Sequence, residues 1–272
     1  VLHACQVSRA ILKTLEKKEL VRFFQQEVRR SGGLEPDYEQ TADFPPTPAQ
    51  QVAIEQISAA LQASGDQPTA AAPSEFLLFG ITGSGKTEVY LQTAKAATAL
   101  GRGVIILVPE ISLTPQMVSR IRSRFGPGAA VLHSRLTPAE RYEQWQRILR
   151  EEVQVVVGAR SAIFAPLKDL GLIIIDEEQE STYKSETHPR YHAREIARLR
   201  AHESDAVVVL GSATPAVETY YRATQGLATL LTLKDRIGDS RLPQTKIVDM
   251  RQEMRDGNRS IFSRDLHVAL RR

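Results

Sequence analysis

Four residues in the stretch "LLFGITGSGKTEVY" (77–90), namely Gly80, Gly85, Lys86 and Thr87, fall at the spacing G-x-x-x-x-G-K-[ST], with Gly83 a further glycine inside it. An apolar run precedes them and a helix-forming run follows. Glycines allow the backbone to turn so that successive N–H groups face one anion, and a helix beginning near Lys86 adds its positive dipole end. Lys86 is the candidate to reach the β and γ phosphates of a nucleotide. Thr87 offers a hydroxyl to Mg²⁺, a hard ion that takes oxygen ligands. Thr82, Ser84 and Glu88 complete the candidate nucleotide-contact set. A glycine turn that merely joins a strand to a helix is the competing reading, and the full spacing weighs against it.

A magnesium-nucleotide site needs an acidic partner, and "LIIIDEEQ" supplies one at the end of an apolar run. Asp176 is the candidate to hold the Mg²⁺ shell, and Glu177 the candidate to orient and deprotonate an attacking water. Acidic residues capping a following helix would look the same. Gln179 is placed either to hydrogen-bond a γ-phosphate or to couple the site to the next strand. A third segment, "STYKSETHPRYHARE", interleaves Tyr183, Lys184, His188, Arg190, Tyr191 and His192. Aromatic and basic residues mixed in this way suit a loop that stacks and clamps unpaired bases. His188 and His192 have i,i+4 spacing but lack the further ligands a zinc ion would need.

These segments lie far apart in the chain, so a scaffold must bring them together. From residue 49 onward helices alternate with apolar runs, and strands are expected at 76–79, 104–108, 153–157, 172–176 and 206–210. Helices are expected over 87–99, 114–124 and 138–150. Short, uniformly apolar strands suit the centre of an α/β fold, a mainly parallel sheet with helices on both faces. "DQPTAAAPS" (66–74) reads as a loop, and no solenoid period emerges. Near the start, Ile11, Leu12, Leu15 and Leu20 recur at helical spacing before a strand-like "LVRFF". Basic residues dominate there, which allows contact with DNA phosphate, although the solvated face of a helix has the same look. A stretch rich in Gly, Pro and acidic residues follows and reads as a linker.

The chain has 272 residues, 42% of them hydrophobic, enough for one large core or two modest ones. One cysteine, Cys5, excludes an internal disulfide framework and a cysteine-rich zinc site within these residues. A formal net charge of +3 makes any nucleic-acid surface local rather than global. No apolar run reaches the roughly 18 residues of a membrane span, and the zones of a signal peptide are missing. A cytoplasmic protein without a membrane partner is therefore expected.

"GITGSGKTEVYL", "LVPEISLTPQM", "VLHS", "VVVGARSAIFAPL", "IIIDEEQ", "YKSETHPRYHARE" and "LGSATPAVET" occur in the order of the helicase motifs of superfamily two. Together they closely resemble the replication-restart DNA helicase family, and the match covers nearly the whole chain. The resemblance implies a RecA-like P-loop lobe preceded by a partial winged helix. It divides the chain into the C-terminal part of a winged-helix DNA-binding domain (1–33), a linker (34–48), the first motor lobe (49–240) and the start of a second lobe (241–272). It implies ATP and Mg²⁺ as cofactors, and an ATP-driven helicase working at stalled forks. Forked or single-stranded DNA, primosome proteins and single-strand-binding proteins are the partners it implies.

The resemblance also assigns residues. Gln50 in "TPAQ" corresponds to a glutamine that reads the adenine edge, or it is an ordinary helix-start residue. Thr114 in "PEISLTPQ" resembles a sugar-phosphate contact. Arg160 and Ser161 in "GARS" resemble a second phosphate contact, with a carboxylate partner at the sheet edge as the alternative for Arg160. Ser212 and Thr214 in "GSAT" would link the Mg²⁺ site to the DNA face, or cap the next helix. Tyr183, Arg190 and Tyr191 would contact DNA in the loop that relays DNA occupancy to the ATPase. Gln179 stands where the family usually has His, which bears on coupling. The family's transition-state arginine and zinc-binding cysteines are expected beyond Arg272. Such an arginine is worth about 10³ to 10⁵ in rate, so this chain is expected to bind Mg-nucleotide and single-stranded DNA but to hydrolyse and unwind poorly. The alternatives are another superfamily-two translocase or RNA helicase, or a non-catalytic nucleotide-gated module that docks to primosome partners.

Overall fold

The computed structural model describes residues 9–22, 44–64, 75–237 and 245–271. Helix α1 spans Arg9–Lys17. Helix α2 (Pro48–Ala63) opens on a capping box in which the Thr47 hydroxyl accepts from the Gln50 N–H and the Gln50 side-chain oxygen accepts from the Thr47 N–H. Pro48 fills the first turn, where a missing N–H leaves no bond unmade.

Strand and helix then alternate. The order is β1 (Glu75–Gly80), α3 (Lys86–Ala99), β2 (Gly103–Leu107), α4 (Pro115–Phe125), β3 (Ala129–Leu132), α5 (Pro138–Leu149) and β4 (Val155–Gly158). There follow β5 (Leu170–Ile175), α6 (Ala193–Ser204), β6 (Val207–Ser212), α7 (Val217–Thr224) and β7 (Thr229–Leu233). Beyond them α8 (Met250–Arg255) and α9 (Arg264–Leu270) are joined by Glu253, whose carboxylate accepts from the Asn258 side chain and the Arg264 N–H.

The strands form one seven-stranded sheet in the order β3-β4-β2-β5-β6-β1-β7, and every pairing is parallel. Parallel strands all end at the same edge, so the loops that follow β1, β2, β4, β5, β6 and β7 emerge side by side. Alternate residues feed two cores. Phe76, Leu78, Val104, Ile106, Leu172, Ile174, Val207 and Val209 pack with α2, α3 and α4 on one face. Leu77, Ile105, Leu107, Ile173, Ile175, Val208 and Leu210 pack on the other with Ile148 of α5 and with Ala193, Ala197 and Ala201 of α6. Each fully buried aliphatic side chain contributes about 1.5–3 kcal/mol, and this double burial holds the edge loops in place.

The five expected strands are present, with ends moved by no more than two residues. Two further strands, β3 and β7, carry weak local signals. β3 is four residues long and directly follows the Gly126–Gly128 turn, and β7 is a border strand whose outer residues stay exposed. The strand expected at 20–24 is not formed over Leu20–Arg22, where Leu20 and Val21 are exposed with no strand beside them among the described residues. The rest of the expected winged-helix remnant and most of the linker lie outside the described residues. Among those described, no helix is long and apolar enough to cross a membrane.

Candidate functional site

The glycine-rich loop joins the end of β1 to the first turn of α3. Gly83 and Gly85 lie at φ +84° and +80°, a backbone region that side chains rarely enter. Gly85 is also pressed from outside, since a Cβ there would come 2.2 Å from the Gln50 amide nitrogen. Gly80 is crowded by the Ser84 hydroxyl, which is buried and has no partner among the described residues. A loop already folded around an unpartnered donor, at a helix N-terminus, fits a phosphate group. Lys86 is 8% exposed; its Nζ donates to the Gly80 carbonyl at 2.8 Å and stands 3.7 Å from Glu177 Oε1. Thr82 is exposed at the top of the loop and Thr87 half-buried on the first turn of α3.

Two of the expected nucleotide contacts have other partners. Glu88 faces α4 and accepts both a paired hydrogen bond from Arg124, at 3.0 and 3.2 Å, and one from Gln92. One turn into α3 it ties two helices together instead of lining the cradle. Gln50 is 1% exposed; its amide donates to the Ser84 carbonyl at 2.8 Å while its oxygen caps α2. The helix-start alternative is the arrangement seen, with the added feature that the cap braces the loop. Contact with an adenine edge would require this amide to swing away from Ser84.

The acidic pair follows β5 at the same edge. Asp176 Oδ1 accepts from the Tyr90 hydroxyl at 2.9 Å, and the Asp176 carbonyl accepts from the Tyr183 hydroxyl at 2.7 Å. Burial pushes the Asp176 pKa above its ordinary 3.8, the Tyr90 hydrogen bond and Lys86 pull it back, and the Glu177 charge adds to the rise. Burial, then the Asp176 charge, pushes Tyr90 well above its ordinary value, so it remains a proton donor. Tyr90 was invisible as a site residue in the sequence. Gly211 admits it, because a Cβ on that residue would lie 1.6 Å from the Tyr90 oxygen. Glu177 has φ +45°, a strained left-handed conformation for a residue with a side chain. Its neighbours hold it there. Gln179 Nε2 donates to Glu177 Oε2 at 2.9 Å, and Ser212 Oγ donates to Gln179 Oε1 at 2.6 Å.

Gln179 is thus hydrogen-bonded to the next strand, at Ser212 at the end of β6. Ser212 also accepts from the Thr214 N–H. Neither residue caps α7, whose first turn begins at Ala216 with its N–H donated to Glu178. Glu178 is fully buried and gathers Arg194 of α6 and the Thr219 hydroxyl of α7 as well. The sequence offered no sign of this cluster beyond an extra acid in "DEEQ", because its members are distant along the chain.

The residues expected to contact DNA lie on the segments that follow β2, β4 and β5. Tyr183 is 1% exposed and packed in the core, with its hydroxyl on Asp176. It therefore has no ring face to offer a base, and its place in the DNA-contact set is corrected: it is a brace. Tyr191 is half-buried, meets Phe164 edge to face at 5.0 Å and lies 5.5 Å beneath the Arg160 guanidinium. Arg160 donates to the carbonyls of Thr182 and Lys184, so its partner is backbone and not a carboxylate. Phe164 is 45% exposed beside them and was missed, since it sits in an otherwise core-like run. Ser161, Arg190 and Thr114 are exposed, and Thr114 caps α4 by accepting from the Met117 N–H. His192 caps α6 in the same way, by accepting from the Arg194 N–H. Among the described residues no group of three or more His, Cys, Asp or Glu is placed to hold a metal; Thr87 and Asp176 each carry the hard oxygen donors that Mg²⁺ takes.

Comparison with known proteins follows the same outline. The model of the DEAD/DEAH box helicase family matches residues 47–223. "Replication restart protein PriA" of Bacillus subtilis is 49% identical over 259 residues, covering 95% of this chain and 31% of that protein. The protein of the same name from Synechocystis sp. is 42% identical over 275 residues, 99% of this chain and 32% of its own length. The chain thus spans about a third of the length of these curated relatives. Among solved structures, "Structure of RecG bound to three-way DNA junction" has a TM-score of 0.52 at 24% identity, over 74% of this chain and 25% of that one, a likeness of fold. Since the family match takes in the phosphate loop, the acidic turn and the Ser-Ala-Thr turn together, the chain belongs to the DEAD/DEAH box helicase family.

Proposed function

We propose that this chain is the nucleotide-binding motor lobe of an ATP-dependent DNA helicase that acts in replication restart. The observation that carries the reading is the meeting of Lys86, from the phosphate loop, with Glu177, from the acidic turn, across 3.7 Å at one sheet edge. The names of the relatives from B. subtilis and Synechocystis support replication restart as the process. Residues 49–240 are taken as the first motor lobe and 241–272 as the start of a second. The partners are forked or single-stranded DNA in the cytoplasm, with primosome and single-strand-binding proteins.

In this reading Gly80–Gly85 present N–H groups to the phosphates, and Lys86 exchanges the Gly80 carbonyl for a phosphate oxygen. Thr87 and Asp176 would hold Mg²⁺, which would supply charge neutralisation to the phosphates. Glu177 orients the attacking water and takes its proton, steadied by Gln179. Gln179 and Ser212 carry any change at Glu177 to the end of β6. Along the same edge Thr114, Ser161, Arg190 and Arg160 hold DNA phosphate, and Tyr191 stacks on a base.

Binding of Mg-ATP, and ATP turnover with single-stranded DNA, forked DNA and RNA, test this. Saturable binding lost in Lys86→Ala but kept in Glu177→Gln is expected, with turnover that is weak and stimulated by DNA more than by RNA. A chain that fails to bind Mg-ATP, or that responds equally to RNA, would overturn the reading.

A further inference from the structure

After β7 leaves the sheet beside β1, the segment 234–237 crosses the phosphate loop. The Ile237 N–H donates to the Gly83 carbonyl at 3.0 Å, and the end of the Ile237 side chain presses on Gly85, where a Cβ would meet it at 2.3 Å. Between these ties sits Arg236. Its Cγ and Cδ pack at Gly83, 3.9 Å from where a Cβ would stand. Its Nε is buried and has no partner, and the guanidinium makes no hydrogen bond or ion pair among the described residues.

Several arginines elsewhere in the fold have partners, although the Arg194 Nε is also buried without one of its own. Arg198 and Arg222 share Glu75, Arg194 meets Glu178, Arg124 meets Glu88, and Arg102 donates to four backbone carbonyls. A donor removed from water without a partner is costly, and five N–H donors with no acceptor suit an oxyanion. Lys86, the other cation of the loop, already has Glu177 and the Gly80 carbonyl. We propose that Arg236 is a nucleotide-binding residue whose guanidinium donates to the phosphate oxygens of a nucleoside di- or triphosphate seated on Gly83–Lys86. The inference rests on the reading of residues 80–87 as a nucleotide cradle, and it makes the exit from β7 part of that cradle.

The test compares binding of Mg-ADP, Mg-ATP and adenosine to the unsubstituted chain, Arg236→Met, Arg236→Lys and Lys86→Ala, by calorimetric titration. Methionine keeps the stem that packs on Gly83. Arg236→Met is expected to weaken Mg-ADP and Mg-ATP about tenfold or more, the loss typical of a charged hydrogen bond. Arg236→Lys should recover part of the loss and adenosine binding should not change. Without nucleotide, the midpoint of thermal unfolding of Arg236→Met should equal or exceed that of the unsubstituted chain, because an unpaired buried donor has been removed. Mg-ADP affinity of Arg236→Met within twofold of the original, while Lys86→Ala abolishes binding, would overturn this inference alone. An equal loss of adenosine would assign Arg236 to the base and overturn the phosphate contact. No nucleotide binding by the unsubstituted chain would sink the cradle itself and this inference with it.

Discussion

Tyr183 and Tyr191 belong to one aromatic-basic segment, yet they do opposite things. The first is a core residue whose hydroxyl fixes the Asp176 carbonyl, and the second shows a ring beside Phe164 and Arg160. Tyr183→Phe is expected to lower stability by about 1 kcal/mol, the worth of one buried hydrogen bond, and to leave single-stranded DNA affinity unchanged. Tyr191→Ala should weaken DNA binding by about 1–3 kcal/mol, the range for loss of a stacking platform. Fluorescence anisotropy with a labelled oligonucleotide, run beside denaturant unfolding, reads both. A DNA defect in Tyr183→Phe equal to that of Tyr191→Ala would contradict the burial argument. The aromatic and basic composition of this segment was legible in the sequence, but burial was not, because Tyr183 differs from Tyr191 only in where the short turn at Ser181–Tyr183 points it.

Helix α3 starts at the phosphate loop and α4 starts at Thr114, and Glu88 and Arg124 join them with side chains 11% and 7% exposed. Charge-assisted hydrogen bonds of this kind are roughly twice as strong as neutral ones, so the pair ties the two helices together. A double-mutant cycle with Glu88→Gln and Arg124→Met, measured by chemical denaturation, should give a coupling of about 1–3 kcal/mol. A coupling below about 0.5 kcal/mol would show that the helices are held by their apolar contacts alone. The start of α6 has its own signature. His192 caps it with an unprotonated Nδ1, and burial, then the Arg194 charge, holds the His192 pKa below its ordinary 6.5. A depressed pKa contributes stability that is complete above the unfolded value and lost as pH falls through the folded one. The unfolding midpoint should therefore fall between about pH 7 and about pH 5, and fall less in His192→Asn, which caps without titrating. Equal slopes for the two proteins would remove His192 from the account.

The two cores lie on opposite faces of one sheet, and the nucleotide loop belongs to the edge where all strands end, so occupancy of the loop should stabilise the fold as a unit. Mg-nucleotide at a hundred times its dissociation constant adds about 2.7 kcal/mol. For a fold of this size each kcal/mol moves the midpoint by about 2–4 °C, which gives a rise of about 5–10 °C. Differential scanning fluorimetry should show that rise in the unsubstituted chain and in Glu177→Gln, and not in Lys86→Ala. An unmoved midpoint at saturating nucleotide would separate the loop from the stability of the sheet.

The amino-acid sequence by itself determined the phosphate loop, the acidic turn and the five central strands, because each is contiguous: glycine spacing sets local backbone geometry, and an unbroken apolar run must be buried on both sides. It also carried the family resemblance in the order of its motifs. Only the tertiary structure decided that Tyr90 grips Asp176 through the space left by Gly211, that Tyr183 is a brace and Glu88 a tie, and that Arg236 beside Gly83 has no partner among the described residues. The partners in the first of these contacts are 86 residues apart in sequence. Which side chains meet at that distance depends on the strand order that the crossovers impose, and no local pattern records it.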